Sequence, residues 1–299
     1  MSKTTRCGVI AIVGEPNAGK STLINHLTGG KVSIVTPKAQ TTRFNIRGVC
    51  VYENTQFIYV DTPGIFDTDK NFESAMVNAA WAGVGDADAV LMLLDGQKGL
   101  KDGSQTIIEQ LKKVKGKPVF LAINKVDKIK KPELLKLIEA CDAFGVFDSI
   151  FMISALKGDG IEHIMPMLAG AMPEGPWHYP EEQMSDISMR LLAAEITREK
   201  LFMLLDQELP YSILVETEKW EETDKRLAVS QAIYVQREGQ KKIVIGEKGA
   251  MIKRIGSSAR RSLEELVGRK LHLELFVKVK PNWKEDSDSY RMLGLEYKK

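Results

Sequence analysis

The chain has 299 residues, of which 43% are hydrophobic, and a formal net charge of +2; this length favours two domains with ample cores. Its three cysteines and four histidines lack the spacing of a disulfide framework or metal site, which favours reduced thiols in the cytoplasm. Apolar stretches fall short of the ~20 residues needed to cross a bilayer, and no signal peptide is evident, so we expect neither a transmembrane segment nor secretion.

The first motif is a glycine-rich loop between the apolar run 9–13 and a helix-like segment. Gly14 and Gly19 allow backbone N–H groups to turn inward, and the positive end of the following helix favours anions, so the loop suits a polyphosphate. Lys20 is predicted to bridge the β and γ phosphates, and Ser21 to place its hydroxyl on Mg²⁺. The predicted phosphate-binding residues are Gly14, Glu15, Pro16, Asn17, Ala18, Gly19, Lys20, Ser21 and Thr22.

The next two segments complete the phosphate and metal side of this site. The polar stretch 37–43 is predicted to close over Mg²⁺ through one of two adjacent threonines, Thr41 or Thr42, between which the spacing does not decide. Asp61 ends a strand-like run, 56–60, where open α/β sheets bind ligands, and is predicted to hold Mg²⁺ through water. Gly64 leaves its N–H open to a γ-phosphate, so we expect the loop after it to switch.

Two later segments predict the base. Asp127, in the run Asn124-Lys125-Val126-Asp127, offers a carboxylate that can accept both N–H donors on one edge of guanine, which adenine lacks. Sites built on such pairing discriminate by as much as roughly 10⁴-fold. The tripeptide Ser154-Ala155-Leu156, after the predicted strand 149–153, is expected to support guanine O6 through its backbone. The glycine-rich loop 14–21, the segment 61–64 and the run 124–127 together predict a guanine-nucleotide site.

These motifs resemble the Era family of translation-factor-class GTPases over residues 8–171. The resemblance implies an α/β P-loop GTPase domain with a mostly parallel sheet and helices on both faces, which binds GTP or GDP with Mg²⁺ and hydrolyses GTP. It favours Thr42 over Thr41 as the metal ligand. It implies a catalytic set of Lys20, Asn17, Thr42 and Gly64, and a metal set of Ser21, Thr42 and Asp61.

Two residues bear on the hydrolysis step. Ile65 stands where many small GTPases carry a Gln that orients the attacking water, so slow intrinsic turnover is expected. Similar P-loops with Asn in the place of Asn17 suggest the hypothesis that Asn17 helps bind a K⁺ ion, which supplies the charge of an arginine finger. Asn17 could equally serve only the structure of the loop.

The segment 173–180 contains three prolines and a glycine, which favours an extended linker. The predicted organisation is a GTPase domain at 1–172, a linker at 173–181, a smaller α+β domain at 182–281 and a C-terminal tail at 282–299. The tail is expected to be mobile, with docking of Trp283 as the exception. Charge is divided within the second domain: residues 181–224 hold 4 basic and 12 acidic side chains, whereas 237–280 hold 12 basic and 5 acidic.

The basic half contains a GxxG loop, 246–249, after Ile243-Val244-Ile245 and before an amphipathic helix. It resembles a type II KH domain, over roughly residues 185–280, as found in the Era family. The resemblance implies a short helix at 241–245 against the β-branched propensity of that segment, and binding of single-stranded RNA. Ile243, Ile245, Ile252 and Ile255 could form the floor of an RNA groove or the core. The predicted RNA-binding residues are Gly246, Glu247, Lys248, Gly249, Lys253 and Arg254.

The combined reading is a GTP-driven switch that presents an RNA-binding module. The family resemblance implies the 3′ end region of small-subunit (16S-type) rRNA, the small ribosomal subunit as partner, and a role in 30S subunit assembly. One alternative is a membrane-associated signalling GTPase whose basic half binds lipid or protein, which leaves open a peripheral membrane fraction of a cytoplasmic protein. Another is a nucleotide-binding scaffold that never hydrolyses.

Overall fold

The computed structural model describes residues 4–38, 40–206, 208–223 and 226–297. Contacts divide the chain into two compact units. The first unit comprises Met1–Ser33, Ala39–Asp186 and Arg291–Lys299, and the second comprises Ile34–Lys38 and Ile187–Tyr290. The division therefore differs from a simple succession of domains, because a short segment near the N-terminus packs within the second unit.

The first unit alternates strands and helices. Its elements are β1 (Arg6–Val13), α1 (Lys20–Thr28), β2 (Ile46–Tyr52), β3 (Thr55–Asp61), α2 (Asn71–Asp86), β4 (Ala89–Asp95), α3 (Asp102–Leu111), β5 (Val119–Asn124), α4 (Lys131–Asp142), β6 (Ser149–Met152) and α5 (Ile164–Ala171). The sheet order is β2-β3-β1-β4-β5-β6, with β2 antiparallel to β3 and the other pairs parallel.

Helices cover both faces of this sheet, as predicted. Leu23 and Ile24 of α1 share one buried cluster with Leu168 of α5 and alternate strand residues. Ile107 of α3 and Cys141 of α4 belong to the cluster on the opposite face. β4 and β5 are buried on both sides, which explains why they read as continuous apolar runs instead of alternating ones.

The carboxyl ends of four strands bring the nucleotide motifs together. Gly14 follows β1, Asp61 ends β3, Asn124 ends β5, and Ser154 comes shortly after β6. Since these strands are parallel, their carboxyl ends lie at the same edge of the sheet. The fold thereby converts segments that are far apart in sequence into one site.

The proline-rich segment predicted as a linker is bound to the first unit. The buried side chain of Gln56 accepts hydrogen bonds from the N–H groups of His178 (2.9 Å) and Tyr179 (3.0 Å) and donates to the Tyr179 carbonyl (2.8 Å). These bonds satisfy a buried amide that would otherwise be costly. The change from the first unit to the second falls between Asp186 and Ile187, after the predicted interval 173–181.

The second unit packs three helices on a three-stranded sheet. Its elements are α6 (Met189–Leu204), β7 (Leu214–Glu222), β8 (Leu227–Val235), α7 (Glu238–Ile245), α8 (Ala250–Val267) and β9 (Leu271–Val279). The sheet order is β7-β8-β9, antiparallel between β7 and β8 and parallel between β8 and β9. The expected helix at 241–245 is confirmed, because α7 buries Val244 and leaves neighbouring Ile243 exposed.

The segment Ile34–Lys38 is part of the second unit's core. Ile34 is fully buried in a cluster with Leu192 and Ile196 of α6 and Leu263 of α8. The N–H of Val35 donates to a carboxylate oxygen of Glu199 at 3.0 Å. The stretch 37–43, predicted to belong to the nucleotide site, thus begins among residues of the second unit.

The C-terminal segment after residue 281 was expected to be a mobile tail, but the structure contains regular elements there. A single 3₁₀ turn, Trp283–Glu285, is followed by α9 (Ser287–Met292). Trp283 is fully buried, and its indole N–H donates to the Ser212 carbonyl at 2.8 Å. The composition of Asp286-Ser287-Asp288-Ser289 is polar because these residues cap and begin a helix, with Asp286 accepting from Ser289 N–H and Oγ.

Among the described residues, no helix has both the length and the apolar character needed to cross a membrane. The three cysteines are free thiols, and burial raises the pKa of Cys50 to about 12 and that of Cys141 to about 11. At neutral pH both groups therefore remain protonated and poorly reactive.

We predict that Trp283→Ala lowers the free energy of unfolding of the second unit by about 3–5 kcal/mol, because it opens a cavity and removes an indole donor. Trp283→Phe keeps most of the apolar contact and loses only the indole donor, so it should cost about 1–2 kcal/mol. Urea titration of the full chain measures both values, and nucleotide binding serves as the control for the first unit. Equal stability of Trp283→Ala and wild type would show that the C-terminal segment contributes nothing to the core.

Candidate functional site

The glycine-rich loop is shaped by its two glycines. Gly19 has φ +103°, and a Cβ added there would lie 2.2 Å from the amide nitrogen of Asn124. Gly14 has φ +152°, and an added Cβ would lie 2.4 Å from the Leu93 carbonyl oxygen. The loop therefore lies too close to the ends of β4 and β5 for any side chain at these positions, which leaves its backbone available to phosphate oxygens.

Lys20 occupies the first position of α1 and is buried. Its ammonium donates to the carbonyl oxygens of Gly14 (3.0 Å) and Glu15 (3.1 Å). Desolvation lowers the pKa of Lys20 to about 8, against the opposing charges of Asp61 and Glu15. A charge held in this way gains most from an anionic partner, as a phosphate site requires.

Asp61 is the point at which the predicted metal residues converge. Its Oδ2 accepts from the hydroxyls of Ser21 (2.7 Å) and Thr42 (3.1 Å), whose oxygens are 3.0 Å apart. A third donor, Ser33 at 2.7 Å, was missed by the sequence analysis because it lies in no motif. Burial raises the pKa of Asp61, and the hydrogen bonds from Ser33 and Ser21 oppose that shift.

These residues fit a magnesium ion. Asp61 is fully buried, and its other oxygen, Oδ1, has no hydrogen-bond partner in the described parts of the chain. A carboxylate with two hydroxyls close by is the hard oxygen donor set that Mg²⁺ prefers. Thr42 is buried beside the carboxylate, and this position favours it over Thr41 as the threonine of the site.

A cleft of about 140 Å³ lies where the base was predicted. The residues that line it are Gly19, Thr22, Asn124, Lys125, Asp127, Lys128, Ser154, Ala155 and Leu156. All were predicted as nucleotide-binding residues except Lys128. A hydrogen bond from Ser154 is the main reason that the pKa of Asp127 lies below its usual value, so this carboxylate is ionised and able to accept from guanine.

Asn124 and Lys125 hold the loops of the site together. The Asn124 amide donates to the Ala18 carbonyl at 2.7 Å and accepts from the N–H of Ala155 at 2.9 Å. The Lys125 ammonium lies 2.9 Å from the Asn17 carbonyl oxygen and 2.6 Å from a carboxylate oxygen of Asp95. Asp95 was also missed, although its position at the end of β4 is a signal of the same kind as that of Asp61.

Gly64 and Ile65 lie against the glycine-rich loop. A Cβ added at Gly64 would lie 2.9 Å from Pro16 Cγ and 3.0 Å from the Pro16 backbone. The N–H of Ile65 donates to the Gly14 carbonyl at 3.1 Å, and its side chain is buried in the core. Ile65 thus packs under the loop, consistent with the expectation that it orients no water.

The GxxG loop of the second unit has the predicted open backbone. Gly246 (φ +74°) cannot carry a side chain without meeting Met251, and Gly249 (φ +78°) precedes α8. Glu247 and Lys248 between them are exposed. The first N–H groups of α8 therefore lie beside a turn with no bulky side chain at either glycine.

A groove of about 320 Å³ runs beside α8, lined by Ile252, Lys253, Gly256, Ser257, Arg260, Leu273 and Leu275. A Cβ added at Gly256 would lie 3.4 Å from Leu275 Cδ1. Ile255 belongs to the buried core, whereas Ile252 packs against that core and also lines the groove. Of the predicted side chains, Lys253 lines the groove, while the exposed Arg254 is not among the described lining residues.

Residues 9–125 match the family described as 50S ribosome-binding GTPase, and residues 208–284 match the KH domain family. GTPase Era of Sinorhizobium medicae is 50% identical over 296 residues, which cover 99% of this chain and 95% of the relative. GTPase Era of Mesorhizobium japonicum is 51% identical over 294 residues, which cover 98% of this chain and 94% of the relative.

Two solved structures are similar over nearly the whole chain. One is a crystal structure of Era in complex with MgGDPNP and nucleotides 1506–1542 of 16S ribosomal RNA, and the other is a variant of Aquifex aeolicus Era bound to GDP·AlF₄⁻. Each has a TM-score of 0.92 at 40% identity and covers 97% of this chain and 99% of the other. The agreement in sequence, fold and motif positions shows that this chain belongs to the Era family of GTPases.

Proposed function

We propose that this GTPase uses Mg²⁺ and its nucleotide state to control binding of single-stranded rRNA, most specifically the 3′ end region of 16S-type rRNA, during assembly of the small ribosomal subunit. The observation that carries the proposal is the presence of the base cleft at Asp127 and the groove beside α8 in one chain. Relatedness to Era, which has been solved with both kinds of ligand, supports it.

The nucleotide half of the proposal assigns a role to each group. The glycine-rich loop and Lys20 bind the phosphates, Asp127 selects guanine, and Ser21, Thr42 and Asp61 would hold Mg²⁺, which supplies charge stabilisation at the phosphates when bound. Gly64 approaches the γ-phosphate through its backbone. Because Ile65 is packed in the core, the chain's own contribution to hydrolysis is positioning and charge, and intrinsic turnover is slow.

We predict that Asp127→Asn weakens GTP binding by at least about 100-fold, because the amide cannot accept both guanine donors. The same variant should gain affinity for xanthosine triphosphate, whose 2-oxo group can accept from the new amide. Calorimetric titration with both nucleotides measures the exchange. Retained GTP preference would show that the cleft at Ser154 and Lys125 binds something other than the guanine edge.

We also propose that Asn17 supports binding of K⁺ near the phosphates. Asn17 has φ +65°, and its carbonyl is held by Lys125 at 2.9 Å, so the loop conformation around it is fixed. We expect faster GTP hydrolysis in K⁺ than in Na⁺ buffer for wild type, and equal rates for Asn17→Ala. Equal wild-type rates in the two salts would contradict this role.

The RNA half rests on the groove. Leu273, Leu275 and Ile252 give it an apolar surface suited to a base, while Lys253 and Arg260 place positive charge at its border. This combination suits a single strand whose bases are splayed out and whose phosphates follow the cations. The proposed site of action is cytoplasmic, on the small ribosomal subunit.

We predict that Lys253→Ala/Arg260→Ala weakens binding of a single-stranded fragment from the 3′ end of 16S-type rRNA by about tenfold or more. The logarithm of the binding constant falls linearly with the logarithm of the salt concentration. Because two cations are lost, the slope of that line should become shallower by about 1.4. The matched control is Lys112→Ala/Lys113→Ala, two exposed lysines of the first unit whose side-chain hydrogen bonds are to Glu109 and Gln110 of α3.

The measurement is made with GDP and with a nonhydrolysable GTP analogue. Tighter binding in one state, lost in the groove variant but not in the control, is the expected result. Equal affinity in the two nucleotide states would remove the coupling. Absence of RNA binding by wild type in both states would reassign the second unit to a protein or membrane partner.

A further inference from the structure

Ser33 occupies a position that the proposed mechanism does not use. It lies after α1, is fully buried, and its hydroxyl donates to Asp61 Oδ2 at 2.7 Å. That distance equals the one from Ser21 to the same oxygen and is shorter than the 3.1 Å from Thr42. Ser33 therefore makes as close a contact with the metal-side carboxylate as the serine of the glycine-rich loop.

Asn25 fixes the backbone of Ser33 from both sides. Its side-chain carbonyl accepts from the N–H groups of Val32 and Ser33, each at 2.9 Å, and its amide donates to the Ser33 carbonyl at 2.7 Å. Asn25 lies four residues after Ser21 in α1, which places both side chains on the same face of that helix. One helix face thus carries a proposed metal residue and the group that orients Ser33.

We propose that Ser33 is a positioning residue for Asp61 at the magnesium site, and that Asn25 sets its orientation. With Oδ2 bound by hydroxyls, the plane of the carboxylate is fixed, and Oδ1, which has no partner among the described residues, is left to accept from a cation or a water bound to it. Hydrogen bonds to a metal-binding carboxylate of this kind typically change metal affinity by about 10–100-fold.

The inference rests on the proposed use of Mg²⁺ with guanine nucleotide. Its test is the rate at which fluorescent GDP dissociates from the full chain as a function of Mg²⁺ concentration. Ser33→Ala should raise the Mg²⁺ concentration needed for half-maximal retention by about tenfold. GDP affinity in EDTA should stay within about twofold of wild type, because Ser33 has no contact with the glycine-rich loop or base cleft in its described hydrogen bonds.

The control is Ser104→Ala, another fully buried serine. In its described hydrogen bonds the Ser104 hydroxyl contacts the backbone of Lys101, the residue before α3, so this variant should leave the Mg²⁺ requirement unchanged. Ser33→Cys nearly keeps the size of the side chain but has a weaker donor, so it should shift the Mg²⁺ requirement in the same direction as Ser33→Ala and by less. It replaces Ser33→Ala in the test if that variant does not fold. An unchanged Mg²⁺ requirement in a folded Ser33 variant overturns the proposal. Wild-type GDP release that is insensitive to Mg²⁺ would instead contradict the proposed function.

Asn25→Asp separates positioning from a direct role. The carboxylate cannot donate to the Ser33 carbonyl, so this variant should show the same shift in Mg²⁺ requirement as Ser33→Ala. If Asn25 acts through Ser33, the double variant should be no worse than either single variant. Additive effects on the Mg²⁺ requirement would show that Asn25 does not orient Ser33 and would overturn that part of the proposal.

Discussion

The first unit depends on how it accommodates one carboxylate, Asp61, without exposure to solvent. An ionised carboxylate out of water costs several kcal/mol unless donors or a cation compensate it. Three hydroxyls supply that compensation, and they come from α1, from the segment after α1 and from the stretch before β2. Any change in the position of one of these segments therefore alters the environment of the same oxygen, which links them energetically.

Much of the nucleotide site was predictable because its residues form short runs at strand ends. The motifs at Lys20, Asp61 and Asp127 need only a parallel sheet to converge, and alternating β and α patterns predict such a sheet. The role of Ser33 was not predictable, because it arises from a turn whose path is fixed by a side chain on α1. The choice of Thr42 over Thr41 required either the family resemblance or the observed burial.

Composition predicted local structure less well in two segments where tertiary contacts outweigh local preference. Pro173 to Pro180 indicated an extended linker, but the amide of Gln56 binds this stretch to the first unit. The residues before Gly246 have the β-branched propensity of a strand, yet Val244 packs in the core as part of the helix α7, which ends before that glycine. Local propensity is about 1 kcal/mol or less per residue, so burial of one such side chain can outweigh it.

The placement of Ile34 in the second unit has a consequence for biosynthesis. Its core partners on α6 and α8 are translated about 150 residues later or more, so the segment waits on the order of ten seconds on the ribosome before they appear. During that time the incomplete nucleotide domain carries an apolar side chain with no core to enter. A fragment that begins at Ile187 has the opposite defect, a gap where Ile34 belongs. The chain therefore cannot be divided into its two units by a single cut.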